Sequence, residues 1–200
     1  MKRIIPIFVL FFVACNGNDK PIIATPIQVT NSPTLKDDFT KQDSAWSIKS
    51  GQWSFKNGLL KQSATHEHFP LILLEKEKLS DVDVSVDFKP LSGNIDASGG
   101  LVFRAVDKNN YFIVRANALE DNFRLYTFKN GYRSEIASAT VTPPKLGQFH
   151  SIRVVAKGTH IQAYLDGKLY IDHVDDSFSK GYVGLWTKAD SVTEFDNFNY

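Results

Sequence analysis

Val82-Asp83-Val84-Ser85-Val86-Asp87-Phe88 decides the fold class. Apolar side chains take every second place, and acidic or hydroxyl side chains fill the places between. In a strand, successive side chains point to opposite sides, so this stretch has one dry face and one wet face. The same kind of segment recurs outward along the chain. Residues 101–106, 111–117 and 123–128 read as strands joined by hairpin-length links at 107–110 and 118–122. Residues 151–156, 161–165 and 169–174 follow, and Asp166-Gly167 between the last two predicts a type I′ turn, whose central residues both need φ > 0. Asn57-Gly58 and Asn130-Gly131 carry the same signal, and residues 182–187 and 192–198 close the chain. No convincing helical stripe occurs from Lys36 onward. About a dozen short strands separated by regular turns predict an all-β, antiparallel sandwich or barrel.

The totals fit one such domain. The chain has 200 residues, and its net charge of +1 argues against binding to nucleic acid or a membrane surface through charge. The 15 Phe, 7 Tyr and 3 Trp suit strands. A single cysteine allows no internal disulfide and no cysteine-based zinc site, so the fold must stand on its core.

That cysteine is Cys15, and what precedes it is a leader. Lys2 and Arg3 form a basic start, and residues 4–13 are apolar. Such a run is too short for a membrane-spanning helix, which needs about twenty residues, and reads as a signal peptide over residues 1–14. Phe12-Val13-Ala14-Cys15 resembles a bacterial lipobox, with Phe12 where leucine is usual. The resemblance implies an acylated Cys15, and several acyl chains give stable anchoring. In a Gram-negative host, Asn16 in place of the aspartate that signals inner-membrane retention favours the outer membrane. Residues 15–35 then form the lipidated cysteine and a flexible tether, with Pro21, Pro26 and Pro33 among polar residues. Residues 36–200 form the domain.

Within that domain the order of motifs is informative. Asp38-Phe39, Trp46, Gly51-Gln52-Trp53 and Asn57-Gly58-Leu59-Leu60 open it. Ser98-Gly99-Gly100-Leu101-Val102-Phe103-Arg104 and Asn110-Tyr111 mark the middle. Leu165-Asp166-Gly167-Lys168, Gly181-Tyr182-Val183-Gly184-Leu185-Trp186-Thr187 and Phe195-Asp196-Asn197-Phe198 complete it. This series resembles the concanavalin A-like lectin/glucanase superfamily, nearest its laminin G-like and 3-keto-disaccharide-hydrolase-like domains. The resemblance implies a jelly-roll sandwich, glycan binding on the concave sheet, and a structural calcium on the convex side. Asp38, Gly58 and Asp196 stand at the corresponding positions, and oxygen ligands suit that ion.

Pairing the strands across their hairpins assigns the faces. With Val106 opposite Tyr111, one face collects Leu101, Phe103, Ala105, Phe112, Val114, Ala116 and Leu125 as core. The other face collects Arg104, Tyr111, Arg115, Arg124, Tyr126 and Phe128, with Asp83 and Asp87 expected to join from the preceding strand and Trp186 from the Gly-Leu-Trp strand. Arginine forks pair with hydroxyls and acids, and aromatic rings stack on apolar sugar faces. The same face is also what a register-setting set of cross-strand pairs would look like. Trp46 and Trp53 read as packing, and His66-Glu67-His68 as a polar loop. No Glu-x-Asp-x-Glu segment, which carries the acid and nucleophile in hydrolases of the resembled fold, occurs here. The expectation is therefore a monomeric, envelope-anchored, non-catalytic module that binds an oligo- or polysaccharide, with the membrane reached through the anchor alone. A sugar-cleaving enzyme and a structural or adhesive envelope protein are the alternatives.

Overall fold

The computed structural model describes residues 24–29 and 35–200, so Cys15 and its leader lie outside the described residues. Its strands are β1 (Lys36–Asp37), β2 (Trp46–Ser50), β3 (Trp53–Lys56), β4 (Leu59–Gln62), β5 (Leu71–Leu79), β6 (Val82–Ser92), β7 (Ser98–Asp107) and β8 (Asn110–Asn117). The remainder are β9 (Asn122–Lys129), β10 (Tyr132–Thr140), β11 (His150–Lys157), β12 (His160–Leu165), β13 (Lys168–Val174), β14 (Gly181–Trp186) and β15 (Val192–Asn199).

They form two antiparallel sheets. The first runs β13-β12-β11-β6-β15-β4-β3, with β1 also paired to β15. The second runs β10-β9-β8-β7-β14-β5-β2. The expected hairpin turns are present. Asp166 and Gly167 have φ of 49° and 76°, and both residues of Asn57-Gly58 and Asn130-Gly131 are likewise positive.

The alternation in β6 works as its sequence demands. Val82, Val84, Val86 and Phe88 are buried between the sheets, facing Leu101, Phe103, Phe112, Val114 and Ala116. Gly99 lets the layers close. A Cβ on Gly99 would lie 2.3 Å from the Phe88 ring, so only glycine there allows that ring to press on β7. Trp46 and Trp53 are buried as expected, their indole N–H groups donating to Asp37 Oδ2 and to the Ser50 carbonyl, each at 2.8 Å.

Residues 24–29 belong to the folded unit rather than to a loose tether. Ala24, Ile27 and Val29 pack on Val155, Tyr164 and Leu169 across the outer face of the first sheet. Gln162 clamps the segment, accepting from Ile27 N–H at 2.8 Å and donating to the Thr25 carbonyl at 3.0 Å.

Candidate functional site

The outer face of the second sheet gathers most of the expected binding residues, and the ladder registers show how. One row across it reads Arg124, Arg115, Gly100, Trp186, Leu71. The next reads Glu135, Tyr126, Ile113, Val102, Gly184, Leu73. The third reads Arg133, Phe128, Tyr111. Gly100 is what lets Arg115 and Trp186 flank one another. A Cβ there would come within 2.6 Å of Ile113 Cδ1 and 3.3 Å of the Trp186 ring.

Three expected residues are elsewhere. Arg104 does not face Ile113. The pairs Phe103–Phe112 and Asp107–Asn110 leave residues 104–106 bulged out of the ladder, and Arg104 sits at φ 49°. Its side chain turns away to donate to the carbonyls of Ser80 at 2.8 Å and Phe178 at 3.2 Å. The bulge also carries Ala105 out of the core to the outer face. Asp83 and Asp87 lie on the other sheet altogether, because β6 pairs with β11 and β15 and not with β7. Asp83 accepts both forks of Arg153, at 2.7 and 2.6 Å, and Asp87 accepts from Asn197 at 2.9 Å.

The aromatic residues are on the expected face but are not exposed platforms. Tyr111, Tyr126 and Trp186 are 1%, 3% and 0% exposed. Phe69, from the segment between β4 and β5, stacks on Trp186 at 5.5 Å and meets Phe128 edge-on at 5.0 Å. Tyr111 stacks on Phe128 at 4.4 Å. The Arg133 guanidinium covers the rings of Tyr126 and Phe69 at 4.7 and 5.1 Å. Burial raises the Tyr111 phenol well above its ordinary range. The Trp186 indole N–H offsets part of that rise, though it makes no hydrogen bond of ordinary geometry. Beside these rings opens a cavity of about 270 Å³, walled by Phe69, Leu71, Tyr111 and Phe128 and rimmed by Lys49, Glu67, His68, Lys108 and Asn109. That volume is at the small end of ligand pockets.

The polar groups are paired only in part. Arg115 Nη2 donates to Glu120 Oε2 at 2.7 Å, and Asn122 donates to the same oxygen at 2.9 Å. Burial would raise Glu120, but these hydrogen bonds and the charges of Arg115 and Arg124 outweigh it and hold the carboxyl at about 2. Arg124 lies 3.2 Å from Glu135. At one end of the face Lys188 meets Asp96 at 2.7 Å. What remains is unusual. Arg115 Nε and Nη1, Asn117 Nδ2, Arg124 Nε, Arg133 Nη1 and Trp186 Nε1 are buried with no hydrogen-bond partner, as are the acceptors Asp96 Oδ1 and Asn122 Oδ1. Among the described residues, every such side-chain atom except Arg104 Nη2 lies on this face or at its end. Buried polar atoms are nearly always bonded, so their concentration on one surface calls for an explanation.

The profile of the 3-keto-alpha-glucoside-1,2-lyase-like domain matches residues 27–199. The chain belongs to this family. The levanase of Bacillus subtilis (strain 168) is 27% identical to the domain over 162 residues, which cover 80% of this chain and 23% of the levanase. The chain thus spans about a quarter of that enzyme's length. The solved carbohydrate-binding module CBM66 from Bacillus subtilis superposes with a TM-score of 0.71 at 27% identity, over 77% of this chain and 93% of that one. A Bacillus licheniformis beta-glucanase superposes at 0.60 with 12% identity, over 84% and 97% of the two chains. It shares the fold, and the domain is a concanavalin A-like jelly roll.

Phe69, Glu120, Arg133 and Glu135 were not expected in the site. Arg133 and Glu135 lie on β10, a polar strand with little apolar alternation to reveal it. Phe69 comes from a segment with no strand pattern. The residues expected near a calcium lie around β1, the β3–β4 turn and β15. Asp38 Oδ1 accepts from Thr40 N–H and Oγ1–H at 3.1 and 2.7 Å, and the Asp38 carbonyl approaches Gly58. Asp196 Oδ1 accepts from Asn197 N–H at 2.7 Å. Among the described residues no three His, Cys, Asp or Glu side chains gather, so a cation there would depend largely on backbone carbonyls.

Proposed function

We propose that this domain binds a saccharide on the outer face of its second sheet and does not cleave it. The observation that carries the reading is the set of buried, unbonded donors and acceptors on that face, which also carries a small aromatic-walled cavity lined by other residues. A sugar, with hydroxyls that both donate and accept and with apolar ring faces, complements such a surface. The carbohydrate-binding module and levanase likenesses support the same class of ligand.

The family's lyase-like description favours a second reading, sugar cleavage. The face supplies two carboxylates, Glu120 and Glu135, and each is held by an arginine. At about 2, Glu120 carries no proton at neutral pH and makes a poor general acid.

Calorimetric titration with a panel of fructan, β-glucan and other oligosaccharides tests the choice. Binding without turnover, lost in Trp186→Phe while the thermal midpoint holds within a few degrees, is the expected result. Turnover abolished by Glu120→Gln would replace binding with catalysis.

The domain is also proposed to be held at the bacterial envelope, on the outer membrane, through acylated Cys15. The basic, apolar and small residues before that cysteine support this. Fatty-acid labelling that persists in Cys15→Ser would overturn it. A structural calcium near Asp38, Gly58 and Asp196 is proposed on the strength of the resemblance and the all-oxygen donor set. A chelator should then lower the thermal midpoint, and an unchanged midpoint removes the ion.

A further inference from the structure

We infer that the saccharide this face binds carries a carboxylate, and that Arg133 receives it. The inference rests on the saccharide reading above and narrows it to an acidic sugar.

Among the described residues each other arginine has its guanidinium engaged. Arg153 is forked on Asp83, Arg115 is paired with Glu120, Arg124 lies against Glu135, and Arg104 bonds two backbone carbonyls. Arg133 has neither a carboxylate nor a carbonyl. Its guanidinium lies over the rings of Tyr126 and Phe69, and its Nη1 is buried and unbonded. The rings restrict the fork's orientation while leaving its N–H groups unused.

A neutral ligand closing over Arg133 would take the remaining water from a cation and give back no charge, which is costly. A carboxylate offers two acceptor oxygens in one plane, matching the fork. The surroundings agree. The unbonded nitrogens of Arg115, Asn117, Arg124 and Trp186 are donors and outnumber the two unbonded acceptors, Asn122 Oδ1 and Asp96 Oδ1, so donors predominate on the face. Glu120 and Glu135 are already neutralised by arginines and add little repulsion. At the cavity rim Lys108 has no ion pair among the described residues, while Glu67 is the carboxylate that shares that rim.

The test is calorimetric titration of the full chain with oligogalacturonate, alginate and hyaluronate oligomers. Fully methyl-esterified oligogalacturonate, levan oligosaccharides and mixed-linkage β-glucan serve as the uncharged set. At least one uronate should bind roughly tenfold or more tighter than every uncharged probe, the margin expected of a charge-assisted fork. Arg133→Gln should erase that preference and Arg133→Lys keep part of it, with the thermal midpoint of each close to that of the parent. Uncharged oligosaccharides that bind as tightly as the uronates, with Arg133→Gln without effect, would overturn the inference and leave the saccharide site standing. Failure of every probe to bind would remove both.

Discussion

The two outer faces of this sandwich are made from the same kind of strand, yet their polar groups end in opposite conditions. On the first sheet Gln162 is fully buried and both ends of its amide are used. Its oxygen accepts from Ile27 N–H and Tyr164 Oη–H, each at 2.8 Å, and its nitrogen donates to the Thr25 carbonyl and Asp172 Oδ2 at 3.0 and 2.9 Å. The chain's own residues 24–29 close that face. On the second sheet Arg115, Asn117, Arg133 and Trp186 keep buried nitrogens unbonded. Leaving a buried donor unmade costs about 1–3 kcal/mol each, and on the second face the proposed saccharide would make up those bonds.

The largest effect should come from the second face. Trp186→Ala removes a fully buried indole stacked under Phe69 and is expected to cost about 3–5 kcal/mol in urea unfolding. Trp186→Phe keeps a ring and deletes only the unbonded N–H, so it should weaken saccharide binding far more than stability. A Phe variant that binds normally would show that the indole nitrogen is merely buried. The first face answers with Gln162→Leu, which leaves Ile27 N–H and the Thr25 carbonyl without partners. A loss of about 1–3 kcal/mol is expected, together with faster hydrogen exchange at Ile27 and no change in ligand affinity. Unchanged exchange would mean that residues 24–29 are not held by this amide.

The acid limb of the stability curve sharpens the contrast further. Glu120 is held at about 2 in the folded chain, below an unfolded value of about 4.3. Its contribution is therefore fully present above the unfolded value and is lost as pH falls through about 2. Glu120→Gln should flatten the fall in stability over that interval, and an identical slope in the variant would dissolve the Arg115–Glu120 pair as a stabilising contact. The smallest effect belongs to the exposed pair on the first sheet. Asp83→Ala should change stability by no more than about 1 kcal/mol and leave binding untouched.

Much of this was readable from local pattern. Strict alternation exposed β6, and the Asn57-Gly58, Asn130-Gly131 and Asp166-Gly167 pairs marked the β3–β4, β9–β10 and β12–β13 hairpins, because turn chemistry and period two act over a few residues. Tyr111, Arg115, Arg124 and Tyr126 were placed on one face for the same reason. Which sheet a strand joins is not local. Asp83 and Asp87 sit on a correctly read strand whose partners, β11 and β15, are distant in sequence, and the chain changes sheets before β7. The bulge at residues 104–106 shifted Arg104 with no signal in its neighbours. Leu71-Ile72-Leu73-Leu74 opens β5 without alternation because both of its faces are buried. Phe69 and Arg133 reach the site only through long-range placement of polar or irregular segments.

The central claim, that ligand binds the unsatisfied face, is tested most directly by the three tryptophan indole N–H signals in a nitrogen-15 NMR titration with saccharide. Trp46 and Trp53 already donate to Asp37 and to the Ser50 carbonyl, whereas Trp186 Nε1 has no partner. The Trp186 signal should move and saturate with ligand while the other two stay in place. A titration that shifts the Gln162 side-chain amide, or leaves the Trp186 signal still at saturating ligand, would contradict the account.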